Sequence, residues 1–181
     1  MDKTLLGPGS ADLAESDLDH LTYSVAVATE HETHVDVKFS GVAWPEGGLE
    51  HQVRTVLDFV ERALGDVGGT LDDVVMLRWF VLDDHLSRET QARINDVRAE
   101  FFDPEHYPAS TMVGVSSLLD DEMRFELEVE AEVPHDDWTT TAFVGDEHEE
   151  VPGETVRDLF GDGEQAAPGD GDGDGSEQAE N

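Results

Sequence analysis

Residues 107–133 read Tyr107-Pro108-Ala109-Ser110-Thr111-Met112-Val113-Gly114-Val115-Ser116-Ser117-Leu118-Leu119, then Asp120-Asp121-Glu122, then Met123-Arg124-Phe125-Glu126-Leu127-Glu128-Val129-Glu130-Ala131-Glu132-Val133. The last part alternates strictly. Successive side chains of a strand point to opposite faces, so Phe125, Leu127, Val129, Ala131 and Val133 share one face while Glu126, Glu128, Glu130 and Glu132 share the other. Residues 111–115 form a second strand rich in β-branched side chains. The acidic loop at 119–122 is short enough for the two strands to pair as neighbours. The expected product is a sheet with one apolar face and one carboxylate face.

Upstream, Thr22-Tyr23-Ser24-Val25-Ala26-Val27-Ala28 and Val35-Asp36-Val37-Lys38-Phe39-Ser40 flank the polar Glu30-His31-Glu32-Thr33, the pattern of a β-hairpin. Val53, Val56, Leu57, Val60 and Leu64 then recur at helical spacing, and the glycines at 65–69 end that helix. Residues 74–82 are nearly all apolar and predict a central strand covered on both faces. A second helix starts at Ser87, a suitable N-cap, and runs to Phe102 with Ile94, Val97 and Phe101 inward. The order is β-β-α-β-α-β-β, an α+β class.

Three regions follow from composition. Residues 1–20 are polar and acidic with Gly7-Pro8-Gly9 and predict a flexible arm, and 21–133 form the domain. Residues 134–181 hold 15 acidic residues and one basic residue, Arg157, and predict a disordered acidic tail. Its one apolar cluster, Val156, Leu159 and Phe160, leaves open a protein partner. The whole chain carries 10 basic and 44 acidic residues, a formal net charge of -34. Such a surface repels nucleic acid phosphates and anionic lipids. It fits a halophilic protein, since a Debye length of about 3 Å at 1 M salt screens the self-repulsion. The absence of cysteine excludes disulfides, thiol catalysis and thiolate metal sites. Neither a signal-peptide pattern nor a run of about 20 apolar residues is present, so a soluble cytoplasmic location is expected.

Several short motifs occur in a fixed order: Thr22-Tyr23-Ser24, Ser40-Gly41, Gln52, Gly68-Gly69-Thr70-Leu71-Asp72-Asp73-Val74-Val75, Asn95-x-x-Arg98-x-x-Phe101-Phe102, Pro108-Ala109-Ser110-Thr111 and Phe125-Glu126-Leu127-Glu128. Together they resemble the Rid family (RidA/YjgF/YER057c/UK114). The resemblance implies a chorismate-mutase-like sheet with two helices on one face, and a homotrimer with ligand-binding clefts between subunits. It also implies that in deaminating members an arginine grips the substrate carboxylate and a glutamate positions water. Here Tyr23, Ser40, Asn95 and Glu126 match the family pattern. Ser110 stands where the family has its arginine, Met112 where many members have a small or thiol residue, Val42 where a polar residue is common, and Arg98 where an aromatic is usual.

A hydroxyl cannot reproduce a guanidinium's bidentate grip on a carboxylate. The resemblance therefore implies binding of a small carbonyl, imine or related metabolite without archetypal 2-iminopropanoate deaminase activity. The alternative is an enamine or imine deaminase, a hydrolase acting on C=N bonds, using Glu126 and a substitute arginine. Arg78 is a candidate for that cation. A guanidinium within an apolar strand needs a partner, either a carboxylate of the glutamate row or a ligand beside Ser110. No cofactor is expected. No metal is expected either: His31-Glu32-Thr33-His34 is a weak motif in a hairpin turn, and the aspartate-glycine run at 170–175 ends in Asn181 where a calcium loop needs glutamate.

Overall fold

The computed structural model describes residues 3–8 and 22–139. Among these, strands β1 (Lys3–Pro8), β2 (Ser24–Glu30) and β3 (His34–Phe39) precede helix α1 (Leu49–Asp66). Strand β4 (Val74–Leu82), helix α2 (Arg88–Arg98), β5 (Ala109–Val115) and β6 (Phe125–Pro134) follow. The strands form one sheet in the order β1-β2-β3-β6-β4-β5. Every neighbouring pair is antiparallel except β4 and β5, which run parallel because α2 carries the chain back between them.

The alternation of β6 is realised. Phe125, Leu127, Val129, Ala131 and Val133 are buried in one cluster with Val53, Val56, Leu57, Val60 and Leu64 of α1 and Ile94 and Val97 of α2. Trp79 and Phe125 meet within it, ring centroids 5.2 Å apart. Both helices thus cover one face, and the glutamates of β6 line the other.

Five expectations change, the last at the C-terminal side. The loose arm at 1–20 is in part a strand: residues 3–8 pair with β2 at the sheet edge, Leu6 opposite Ala26, and Leu6 joins the core. Burying one leucine and closing an edge ladder is enough to order a segment whose composition looks like a tail. Strands β5 and β6 are not neighbours, because β4 lies between them and pairs with both. The apolar β4 claims the central position, and the link at 116–124 passes over its end, where Leu82 N–H donates to Arg124 C=O at 3.1 Å. Strand β4 is covered on one face only, with Val75 38% exposed and Met76, Arg78, Phe80 and Leu82 half-buried. Helix α2 closes at Arg98 rather than Phe102, whose N–H still bonds back to Arg98 C=O.

At the C-terminal side the chain stays on the domain past 133. Thr139 N–H donates to Val67 C=O at 2.9 Å and Trp138 packs against the core. Gly68 makes this possible at φ +86°, since a Cβ there would strike the Asp137 carbonyl. The apolar cluster at Val156, Leu159 and Phe160 and the aspartate-glycine run lie outside the described residues. No helix among the described residues is long and apolar enough to cross a membrane.

Candidate functional site

The expected site residues fall into two groups. The first gathers where β2 begins, β3 ends and β6 begins. Ser40 N–H donates to Val25 C=O at 2.9 Å, and the Ser40 hydroxyl donates to Ser24 C=O at 2.7 Å. These bonds hold the turn after β3 against the start of β2, where Tyr23 is 58% exposed. Val42 and Leu127 exchange backbone hydrogen bonds, each 2.9 Å, which lays Gly41 beside β6. Glu126 fills the space that Gly41 leaves: a Cβ at 41 would sit 1.7 Å from Glu126 Oε1. Tyr23, Ser40, Gly41 and a half-buried Glu126 therefore share one corner.

The second group lies at the far edge. Ser110 is opposite Leu77 and Met112 opposite Trp79, so both side chains are on the helix-covered side of β5. Met112 packs against the core and is a wall rather than an exposed ligand contact. Across from Ser110, the last turn of α2 brings Arg98, whose Nη1 donates to Ser110 Oγ at 3.3 Å. Its guanidinium carbon lies 5.9 Å from the Phe102 ring centroid, and its buried Nε has no hydrogen-bond acceptor. Burial draws its pKa below the ordinary arginine value, with Tyr107 acting in the opposite direction. It remains a cation at any physiological pH. Asn95 is exposed three residues earlier, on the same flank of α2.

Arg78 does not stand beside Ser110 within one chain. It donates to Glu130 at 2.6 Å, with Glu128 at 3.9 Å. It also pairs in register with Thr111, which puts it on the face opposite to Ser110. Arg54 and Arg93 are likewise paired, with Glu100 and Glu50. Arg98 has no carboxylate within 4.0 Å among the described residues; Arg62, Arg88 and Arg124 also lack one, and Arg124 is likewise half-buried with an unpartnered Nε, but of these only Arg98 stands beside Ser110. A cavity lined by Gly48, Leu49, His85, Thr90, Arg93 and Arg124 is separate from both groups.

Residues 22–133 match the family model described as Endoribonuclease L-PSP. The chain belongs to that family. A member of the YjgF/YER057c/UK114 family from Mycobacterium tuberculosis shares 27% identity at a TM-score of 0.57, over 73% of this chain and 100% of its own. A Yersinia pestis protein of the Rid family, described as of unknown function, shares 26% at 0.56 over 73% and 100%. The yeast protein YEO7 shares 25% at 0.54 over 72% and 98%. No curated protein matches the chain.

Within this L-PSP/Rid domain, Glu126 and Ser110 do not face a common space in one subunit. Glu126 pairs with Phe80 on the open face of the sheet, whereas Ser110 and Arg98 lie on the helix side of the edge strand. The sequence names Tyr23, Ser40, Glu126, Asn95 and Ser110 as candidates but not Arg98, whose contact with Ser110 arises only in the fold. The available signal was an arginine three positions after Asn95, at a place where an aromatic was expected.

Proposed function

We propose that this L-PSP/Rid chain forms a homotrimer whose inter-subunit clefts bind a small 2-oxo or 2-imino acid, with Arg98 as its carboxylate anchor. The reading rests on one observation: a half-buried guanidinium without a carboxylate partner stands 3.3 Å from Ser110. The partly buried Arg98 leaves its Nε without an acceptor beside the Ser110 hydroxyl, and that is consistent with an anionic ligand taking the place. The grip lost from strand β5 is then supplied from helix α2.

The rest of the cleft follows from the division into two groups. One copy supplies Arg98, Asn95 and Ser110, and the next supplies Tyr23, Ser40 and Glu126. The half-exposed apolar residues on the open face of β4, Met76 and Phe80, support burial of that face between copies. With an imine bound, Glu126 accepts a proton from water as the oxygen attacks the imine carbon. Glu126 passes that proton to the imine nitrogen to give the carbinolamine, then takes the hydroxyl proton and delivers it to the departing nitrogen as the C–N bond breaks, so imine and water give a 2-oxo acid and ammonia. Metabolite binding without turnover is the second reading, favoured by Ser110 itself, because a side chain reaching from a helix need not orient the imine as a strand-borne arginine does.

The family description speaks of an endoribonuclease. A net charge of -34 opposes approach to an RNA backbone, so no nucleic acid partner is assigned. A cytoplasm of high salt is the proposed setting, and a protein partner for the acidic tail remains a separate proposal.

The test is ammonia release from 2-imino acids generated in situ by a dehydratase, in molar KCl. Wild type should be active, and Arg98→Met should lower kcat/KM by about 10- to 100-fold, the range for losing a hydrogen bond to a charged group. A silent wild type that binds 2-oxo acids through Arg98 selects the second reading. Binding and turnover that ignore the substitution refute both.

A further inference from the structure

The β2–β3 hairpin collects a donor set that the cleft does not use. His31 Nε2 lies 3.2 Å from Asp36 Oδ2, and His34 Nε2 lies 3.3 Å from Asp36 Oδ1. The two imidazole rings are stacked, centroids 4.8 Å apart and planes inclined by 16°. All three groups place a ligand atom within 4.8 Å of the others. In sequence the pair reads only as two histidines three apart. The fold adds the third donor: residues 34 and 36 share a face of β3, and the turn closes His31 onto His34 through a 2.9 Å bond from His31 N–H to His34 C=O.

Geometry and chemistry agree on what such a set holds. Metal–donor bonds of about 2.0–2.1 Å in a tetrahedron put neighbouring donors roughly 3.3–3.4 Å apart; the two imidazole–carboxylate separations, each to a different oxygen of Asp36, are of that size, and the whole set, within 4.8 Å, closes on an ion by small side-chain rotations. Two imidazoles and a carboxylate suit borderline first-row cations better than calcium or magnesium, which prefer all-oxygen shells. His34 Nδ1 lies 3.2 Å from Thr33 Oγ1, a contact from behind that fixes the ring with Nε2 towards the carboxylate. Glu132 is directly across from Asp36 on β6, and the Glu30–His135 pair, 3.8 Å apart, lies close by.

We propose that His31, His34 and Asp36 bind one divalent first-row transition cation per chain, with Zn²⁺ the reference ion and at least one coordination position left to water. The site is structural. Asp36 pairs with Glu132, six residues along β6 from Glu126, or roughly 20 Å at about 3.3 Å per residue, so the ion clips the hairpin and takes no part in the cleft.

The test uses the full chain, stripped with a chelator and dialysed into molar KCl, then titrated with Zn²⁺ by calorimetry and with Co²⁺ by visible absorption. One Zn²⁺ per chain, tetrahedral Co²⁺ bands and a raised Tm are expected. His31→Gln and Asp36→Asn should each weaken binding at least about tenfold and abolish the Co²⁺ bands, with the metal-free Tm unchanged. His135→Gln, beside the site but not in it, should bind as wild type does. No binding, binding that ignores both substitutions, or equal affinity for Mg²⁺ would overturn the proposal, the last two by assigning the ion to the acidic surface at large.

Discussion

A methyl group at position 41 has no room unless Glu126 moves, because a Cβ there would overlap its carboxylate. The obstacle is the end of a flexible side chain rather than backbone, so Gly41→Ala should fold with a Tm near that of wild type. It should nevertheless lose most imine hydrolysis, since a displaced general base costs about 10²-fold or more. Equal loss of Tm and activity would mean that Gly41 is needed for folding alone. Single residues were legible in part. The alternating glutamates and the serine at 110 could be placed from sequence, and the ion pair of Arg78 with the glutamate row was the first of the two partners named for it. Arg98 was not legible, because its meaning depends on a contact between a helix end and a strand twelve residues later, which no local pattern encodes.

Gln52 shows how one side chain joins several elements. It is fully buried in α1; its amide nitrogen donates to the carbonyls of Glu122 at 2.9 Å and Pro45 at 3.2 Å, and its oxygen accepts from Arg124 N–H at 3.1 Å. These bonds fix the link that delivers Glu126. Gln52→Leu keeps the volume and strands the backbone groups, which should cost about 2–4 kcal/mol in chemical denaturation. A loss under about 0.5 kcal/mol, on the order of surface substitutions, would contradict that role.

Between the helices, Arg93 forks onto Glu50. Its hydrogen bonds lower the Glu50 pKa from 4.5 to about 2. The folded-state value is the depressed one, so this stabilisation is present above pH 4.5 and is lost as pH falls towards 2. Arg93→Met should flatten the stability–pH curve in that window. An unaltered curve would mean that the pair is screened out by solvent and salt. At this scale the sequence yielded both α-helices and all five strands of the 22–133 domain, since hydrophobic period and caps are local, though not its two short 3-10 turns at 71–73 and 104–106. It misjudged which strands pair, because a loop of suitable length permits pairing while the competition from apolar β4 decides it. It also missed β1, whose single buried leucine leaves almost no pattern.

The whole molecule is a sheet with one finished face. Helices seal one side, and the other presents glutamates in the middle and half-exposed apolar residues along β4. The strand's continuous apolar run predicted cover on both faces; a single chain provides one, and the proposed assembly provides the second. The same reasoning explains why the two halves of the candidate site lie on opposite sides of the sheet. Complementation tests it most directly. Arg98→Met and Glu126→Gln should each retain about a tenth of wild-type turnover or less, yet trimers reassembled from an equal mixture should recover about one quarter of it, because one site in four draws an intact Arg98 and an intact Glu126 from different copies. A mixture no more active than its parts would contradict a cleft shared between subunits and with it the account given for this chain.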